Sequence, residues 1–277
     1  MKRLAGTLAL GTALVAVLAP PGAQGRATTN LFAYDRSAPL ALRVEASSKR
    51  GGVTIESVSF AIGGDARVNA YLVRPPGFSS LAGIVFQPGR WQHRSFFLAE
   101  AIAEAQHGAV TLSLDDLTGT YPTFTSADLP ILVRRVVALR RALDLLERQP
   151  GVDRNRIAFV GHSDGAELGG ILAGVDHRAS SYVLMSGGGI WDRSASAAYN
   201  RLIAPADADN YIGHAAPAAL FFQSALSDQY VPRSEARRYQ ALASRPKLVK
   251  WYAATHLLNA QARRDRDAWL ARRLHLR

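Results

Sequence analysis

Arg156-Ile-Ala-Phe-Val-Gly-His-Ser-Asp-Gly-Ala-Glu-Leu-Gly-Gly-Ile-Leu-Ala-Gly174 is the stretch that decides the fold. Its first part, Ile157 to Val160, is a short apolar run of β type. Gly161-His162-Ser163-Asp164-Gly165 follows, and then a small-residue helical pattern with Ala166, Ile171, Leu172 and Ala173 as its apolar members. Strand, G-x-S-x-G and helix in that order put a serine on a sharp strand-to-helix turn with its hydroxyl exposed. A serine held there occupies a sparsely populated backbone conformation, so its neighbours two residues away must lack bulk. The helix that begins at the turn aims backbone N–H groups at negative charge developing beside Ser163. A plain glycine turn with a solvated serine would show the same five letters. The flanking strand and helix patterns favour the reactive turn.

Working outward, strand and helix patterns alternate. Val53, Ile55, Val58 and Phe60, then Val68, Ala70, Leu72 and Val73, mark two strands around Gly63-Gly64-Asp65. Ala82 to Phe86 reads as a strand buried on both faces and stops at Gln87-Pro88-Gly89-Arg90-Trp91. Helical spacing runs from Phe96 to Ala103, a strand from Ala109 to Leu114 ends in Asp115-Asp116, and Leu129 to Leu146 is a long amphipathic helix. Beyond the serine come strands at Tyr182–Met185, Ala218–Phe222 and Leu248–Tyr252, with helices near Ser234–Ala243 and Asn259–Leu274. The expected fold class is α/β: a mostly parallel central sheet with helices on both faces and antiparallel edge strands at the N-terminus. Residues 190–216, with Tyr199-Asn200-Arg201 and Asn210-Tyr211-Ile212, break the rhythm and are expected to form a small cap insertion. Reactive residues in such sheets gather at the carboxyl ends of the strands.

Met1-Lys2-Arg3, an apolar stretch from Leu4 to Ala19, and Ala23-Gln24-Gly25 after Pro20-Pro21-Gly22 have the layout of a secretory signal over residues 1–25. The competing reading is an uncleaved anchor, for which the run is short. Residues 26–277 are then expected as one domain, secreted or periplasmic, without a stable membrane span after cleavage. Residues 26–50 are polar and without clear period, an expected disordered or surface-draped lead-in. The chain has no cysteine, which excludes disulfides, a thiolate nucleophile and a lipid-modified N-terminal cysteine. Lys and Arg number 33 against 22 Asp and Glu, a net +11. That balance attracts polyanions, but the arginines are scattered. The pairs Arg134-Arg135 and Arg140-Arg141 are expected on a solvated helix face, and no nucleic-acid partner is expected. With no His-x-x-x-His, calcium loop or G-x-G-x-x-G, neither metal nor cofactor is expected.

Three stations follow one another along the chain, each after a strand: Gly161-His162-Ser163-Asp164-Gly165, Ser227-Asp228-Gln229-Tyr230-Val231-Pro232, and Ala254-Thr255-His256. In that order and placement the chain, from about Val53 to Arg277, resembles the α/β-hydrolase superfamily and within it the dienelactone-hydrolase and acyl-esterase branch. The resemblance implies Ser163 as nucleophile, Asp228 as acid and His256 as base. Dienelactone hydrolases carry a cysteine at the nucleophile position, and Ser163 favours ester or amide hydrolysis instead. The chemistry of the residues agrees. An alcohol is a poor nucleophile at its own pKa and needs a base within reach. An imidazole exchanges protons near neutrality, and a carboxylate on its other nitrogen fixes the tautomer.

The developing oxyanion needs donors, for which the backbone N–H groups of Asp164 and Arg90 are the candidates, with Trp91 next in line. The family's loop there often reads His-Gly-Gly, whereas this one is Gln87-Pro88-Gly89-Arg90. Arg90, beside the oxyanion position, is expected to meet an acidic group on the substrate. Asp192 is the rival acid, Asp115 and Asp116 are candidate pocket residues, and Glu167 is expected to be a structural polar group. His162 is expected to pack beneath the turn, and His107 and His177 to sit at helix ends or in loops. Trp191 and Tyr199 either pack the cap or touch substrate. The expected function is a serine hydrolase cleaving a carboxylic ester of a small-molecule or acylated substrate. A peptidase or amidase, an acyltransferase and a non-catalytic binding protein on the same fold are the alternatives.

Overall fold

Leu81–Gln87 is buried along its whole length, the signature of a strand covered on both faces, and the rest of the sheet is laid out around it. The computed structural model describes residues 31–77, 80–116, 121–189 and 195–277. Its strands are β1 (Arg43–Arg50), β2 (Val53–Gly63), β3 (Ala66–Arg74), β4 (Leu81–Gln87), β5 (Ala109–Leu114), β6 (Val152–His162), β7 (Ser181–Met185), β8 (Ala219–Ala225) and β9 (Lys247–Tyr252). The helices are α1 (Leu98–Gln106), α2 (Asp128–Glu147), α3 (Asp164–Val175), α4 (Ala197–Ile203), α5 (Arg233–Leu242) and α6 (Ala260–Leu274). One sheet joins the strands in the order β1-β2-β3-β5-β4-β6-β7-β8-β9. From β5 to β9 neighbours run parallel, while β1, β2, β3 and β5 pair antiparallel.

Alternation along the strands divides the core into two layers. Val85, Leu112, Phe159 and Leu184 face α2 and α3, packing with Leu139 and Ile171. Ile84, Phe86, Val160 and Val183 face the other way, against Ala101 of α1 and Trp269 of α6. Each such side chain, fully buried, contributes about 1.5–3 kcal/mol. Parallel pairing then aligns the strand ends. Gln87 lies opposite Gly161, His162 opposite Met185, and Met185 opposite Gln223. The loops that follow β4, β6, β7 and β8 therefore emerge side by side, with the loop after β9 next in line.

Two expectations are corrected. Residues 43–50 form an edge strand, not an unstructured lead-in; all eight residues are exposed, so no apolar alternation marks the strand in sequence. Its Arg43, Lys49 and Arg50 discourage further pairing along that open edge. Residues 31–42 are draped across α2 and fastened there. Phe32 is fully buried, the Arg140 guanidinium donates to the Phe32 carbonyl at 2.8 Å, and Arg141 donates to the carbonyls of Ala38 and Pro39 at 2.9 and 3.0 Å. Nor is this helix face solvated throughout: Arg134 is exposed as expected, but its companions are not. Arg135 and Arg141 are buried, because each has a buried carboxylate to meet.

On the opposite face α1 and α6 are joined by an ion pair between Glu100 and Arg266, the Nε–Oε2 distance being 2.8 Å. Glu104, buried one turn further along α1, has its carboxyl pushed up to about 8 by burial and by the charges of Asp267 and Glu100. The folded state thus holds a proton that the unfolded chain releases near 4.5. Stability from this group is complete below 4.5 and is lost as pH rises through about 8. Glu104→Gln, which keeps the shape without the charge, is expected to raise Tm at pH 8.5 and to leave it unchanged at pH 4. Each kcal/mol recovered corresponds to about 2–4 °C for a chain of this size. Equal melting of the two proteins at pH 8.5 in calorimetry would refute the assignment.

Candidate active site

At the end of β6 the chain turns into α3 within one residue. Ser163 takes φ 56 and ψ −122, a region that costs a non-glycine residue on the order of 1–3 kcal/mol. Surrounding contacts impose it. The Ser163 N–H donates to the Met185 carbonyl at 2.7 Å, and its own carbonyl accepts from Ala166 at 2.8 Å and Glu167 at 3.2 Å. The two flanking glycines are required by close approach: a Cβ on Gly161 would collide with the Gly165 carbonyl, and one on Gly165 with the Gln87 carbonyl. Ser163 thereby reaches a cleft of about 320 Å³ that it shares with His162, His256, Arg90 and Tyr230.

His256 stands in the loop after β9. Its Nδ1 lies 2.9 and 3.0 Å from the two carboxylate oxygens of Asp228, in the loop after β8. Asp228 Oδ1 also accepts from the backbone N–H groups of Tyr230 and Val231, both at 2.9 Å. Burial pushes the Asp228 carboxyl up, but the bonds from His256, Val231 and Tyr230 outweigh it and hold it below the usual range. An ionised carboxylate on Nδ1 leaves Nε2 as the nitrogen for proton traffic. The main chain of His256 is pinned from beneath. Its carbonyl accepts from the Ser186 hydroxyl at 2.8 Å and lies 3.1 Å from His162 Nε2. His162 is itself buried, stacked on Phe96 at 5.1 Å, and burial holds its pKa down at about 4, so the ring stays neutral.

Behind the serine lies a buried ionic cluster. The Arg90 guanidinium donates to Asp164 Oδ1 at 3.1 Å, and Arg135 of α2 donates to both Asp164 oxygens. Arg135 also donates to Asp116 Oδ1 at 3.0 Å, while Asp116 Oδ2 accepts from the Trp91 N–H at 2.9 Å. Burial pushes the Asp164 carboxyl up, yet Arg135 and Arg90 outweigh it and keep the group ionised. Glu167 then bears the consequence. Burial and the Asp164 charge raise its carboxyl well above the usual range, leaving it protonated. The two residues proposed to offer oxyanion N–H groups, Asp164 and Arg90, are therefore tied together through their side chains.

Several expected roles change. Trp91 is not the reserve oxyanion donor, because Asp116 takes its N–H. Arg90 does not reach for an acidic substrate group: its guanidinium is buried against Asp164 and 4.7 Å over the Tyr121 ring. Asp115 and Asp116 hold the backbone of the loop after β4, at Arg94 and Trp91, where pocket lining was expected. His107 caps the end of α1, as expected. Tyr199 is buried and donates to Asp128 at 2.7 Å. Residues 195–216 form α4 and single 3-10 turns packed on α2 and α3, and none of them lines the Ser163 cleft. Asp192, Trp191 and the remainder of the expected cap, 190–194, lie outside the described residues, as does 1–25. Arg135 and Ser186 were missed. Arg135 falls between Leu132 and Leu139 at helical spacing, a position on the apolar face that its charge disguised.

Comparisons with known proteins bear on the fold. An acetyl xylan esterase from Paenibacillus sp. R4 superposes with a TM-score of 0.74 at 20% identity, covering 91% of this chain and 92% of that one. The fold is that of the α/β hydrolases. Acetyl xylan esterase 1 from Thermoanaerobacterium sp. JW/SL YS485 gives a TM-score of 0.72 at 13% identity, covering 90% and 93% of the two chains. A glucuronoyl esterase from Solibacter usitatus gives 0.65 at 14% identity, covering 90% and 92%. Residues 139–235 match the family model described as BAAT / Acyl-CoA thioester hydrolase C terminal. No curated protein matches the sequence. The matched segment, about a third of the chain, holds Ser163 and Asp228 and stops before His256.

Removing one partner of a buried ion pair strands the other charge, at a cost of about 3–5 kcal/mol. Arg135→Met, similar in length and apolar, is expected to lose stability of that order in urea unfolding followed by circular dichroism. A loss below about 1 kcal/mol, the range of exposed pairs, would contradict the cluster.

Proposed function

We propose that this α/β hydrolase cleaves a carboxylic ester through an acyl-enzyme on Ser163. The observation that carries the reading is the Asp228–His256 bond, 2.9 Å at Nδ1, with the imidazole in the same cleft as a serine on a strained turn. Ser163 Oγ attacks the carbonyl carbon while His256 Nε2 takes its proton, and Asp228 stabilises the imidazolium. The carbonyl oxygen, now negative, is met by the N–H groups of Asp164 and Arg90; loss of one such donor costs about 3 kcal/mol of barrier. His256 then returns the proton to the leaving oxygen as the tetrahedral intermediate collapses. Water repeats the sequence on the acyl-enzyme and releases the acid.

The acetyl xylan esterases and the glucuronoyl esterase are ester hydrolases by name, which supports an ester as the scissile bond. The acyl-CoA thioester hydrolase match over the stretch that holds Ser163 and Asp228 supports a second reading, a thioester cleaved at the same serine. Export through residues 1–25 belongs to the same proposal, and mass spectrometry of exported protein is expected to find an N-terminus near Arg26.

The test is turnover of p-nitrophenyl esters and of acyl-CoA, with fluorophosphonate labelling. Ser163→Ala is expected to lower kcat by at least about 10³-fold and to abolish labelling. Asp228→Asn, which removes the constraint on the His256 tautomer, is expected to cost about 10⁴-fold with labelling slowed in parallel. Acyl-CoA turnover exceeding that of every oxygen ester would favour the second reading. Equal activity of wild type and Ser163→Ala would sink both.

A further inference from the structure

The three most exposed large apolar side chains among the described residues are Trp91 at 70%, Tyr230 at 66% and Leu257 at 60%. They come from three separate loops, after β4, β8 and β9, yet all three line the cleft of Ser163 and His256. Scattered exposed apolar residues need no explanation, but a convergent group of them marks a surface that a ligand covers.

Both aromatic residues are held in place. Trp91 takes φ 60, a conformation a bulky residue rarely adopts, and Asp116 fixes its N–H at 2.9 Å. The Arg90 guanidinium lies 5.8 Å from its ring centroid. Tyr230 donates its N–H to Asp228 at 2.9 Å, and its ring meets the His256 ring edge-on with centroids 4.9 Å apart. Rigid aromatic surfaces present contact area at little entropic cost. Their neighbours in the cleft are polar. Gln92 Oε1 accepts from the Gly89 N–H at 2.7 Å and Gln229 Oε1 lies 3.4 Å from the His256 N–H. With both oxygens engaged by the main chain, these side chains offer a ligand their NH₂ donors.

The place of Tyr230 says which half of the substrate is met. The leaving oxygen must take its proton from His256, so the group attached to that oxygen lies beside the residues that touch the imidazole. We propose that Trp91, Tyr230 and Leu257 form the leaving-group subsite and that the leaving group carries a ring with a flat apolar face. A phenol and a sugar share that chemistry, the aromatic surfaces covering the ring face and the amides reaching hydroxyls at its edge. The proposal rests on the reading of Ser163 as nucleophile.

Two measurements separate the proposal from that reading. The first is kcat and KM for ethyl acetate, phenyl acetate and 6-O-acetylglucose with wild type, Trp91→Ala, Tyr230→Ala and Trp91→Phe, each checked by thermal melting. Trp91→Ala is expected to lose at least tenfold in kcat/KM on one or both ring esters, mostly through KM, and to stay within about twofold on ethyl acetate. Tyr230→Ala, which also removes the ring against His256, is expected to lose more on those ring esters than on ethyl acetate. Trp91→Phe is expected to retain the preference. Loss on phenyl acetate alone identifies an aryl leaving group, and loss on acetylglucose alone a sugar. A loss shared equally with ethyl acetate, or no loss, overturns the subsite. The second is saturation-transfer NMR of phenol and methyl glucoside with Ser163→Ala and with Ser163→Ala/Trp91→Ala. Ring binding that disappears with Trp91 supports the subsite even if no ester is turned over. Binding that ignores Trp91, or none at all, overturns it whatever the fate of Ser163.

Discussion

One buried carboxylate between two guanidinium groups sets the arrangement on which the site depends. Asp164 opens α3 directly after the serine, Arg135 reaches it from α2, and Arg90 from the loop after β4. An ion pair of this kind is weak evidence for stability, because desolvating the charges offsets most of their attraction. Its consequence here is positional. A planar guanidinium bonds a carboxylate in few geometries, so the α2 face, the start of α3 and the loop after β4 are held in one relation. Asp116 extends the same constraint to the end of β5 and, through the Trp91 N–H, back to that loop. The cluster also bears on the charge of its neighbour: burial first, and then the ionised Asp164, raise the Glu167 carboxyl on the next turn of α3 well above its usual range.

The strain at Ser163 is carried by the sheet. A residue at φ 56 would relax if its neighbours allowed it, but β6 and β7 are locked by parallel pairing, and the Ser163 N–H is engaged by the Met185 carbonyl. Gly165 lets α3 approach the end of β4, and Gly161 lets the end of β6 approach α3, more closely than any side chain would permit. What makes the turn tight therefore also brings Asp164 towards Arg90. Opposite, His256 is fixed at both ends: its ring by Asp228, and its carbonyl by Ser186 beneath, with His162 3.1 Å from it. The groups proposed for the reaction sit in loops at strand ends or, for Asp164, on the first residue of α3, and the His256 loop is bound to the end of β7 by the buried Ser186 hydroxyl.

Much of this was legible in the sequence. The strand, G-x-S-x-G, helix pattern pointed to Ser163, and the resemblance of the three stations to the α/β-hydrolase superfamily pointed to Asp228 and His256, which the fold brings to 2.9 Å of each other. The misses share a cause. Pattern reading treats charge as exposure, so Arg135, Arg140 and Arg141 were assigned to solvent although each ends on a carboxylate or a carbonyl inside the fold. Strand β1 was missed for the converse reason: an edge strand with no buried residue has no hydrophobic period to read. The side chains of Arg90, Asp115 and Asp116 were read as facing substrate. Their true partners, Asp164 and the backbone of the loop after β4, are brought near only by the fold.

The arginines explain how a chain without cysteine fastens its irregular segments. Arg141 bonds the carbonyls of Ala38, Pro39 and Ala61; Arg67 bonds those of Ala41 and Ser59; Arg140 bonds that of Phe32. A segment such as 31–42 has no ladder to satisfy its carbonyls, and burying them unpaired is costly. A guanidinium brings five donors in a rigid fork and so closes two or three such carbonyls at once, while a carboxylate such as Asp144 balances the charge. Part of the basic excess in the composition is thereby structural, spent inside the molecule as cross-links between the lead-in, the edge strands and α2. Arg90 and Arg135 are the same device applied to a carboxylate, placed where the backbone to be held is that of the proposed oxyanion site.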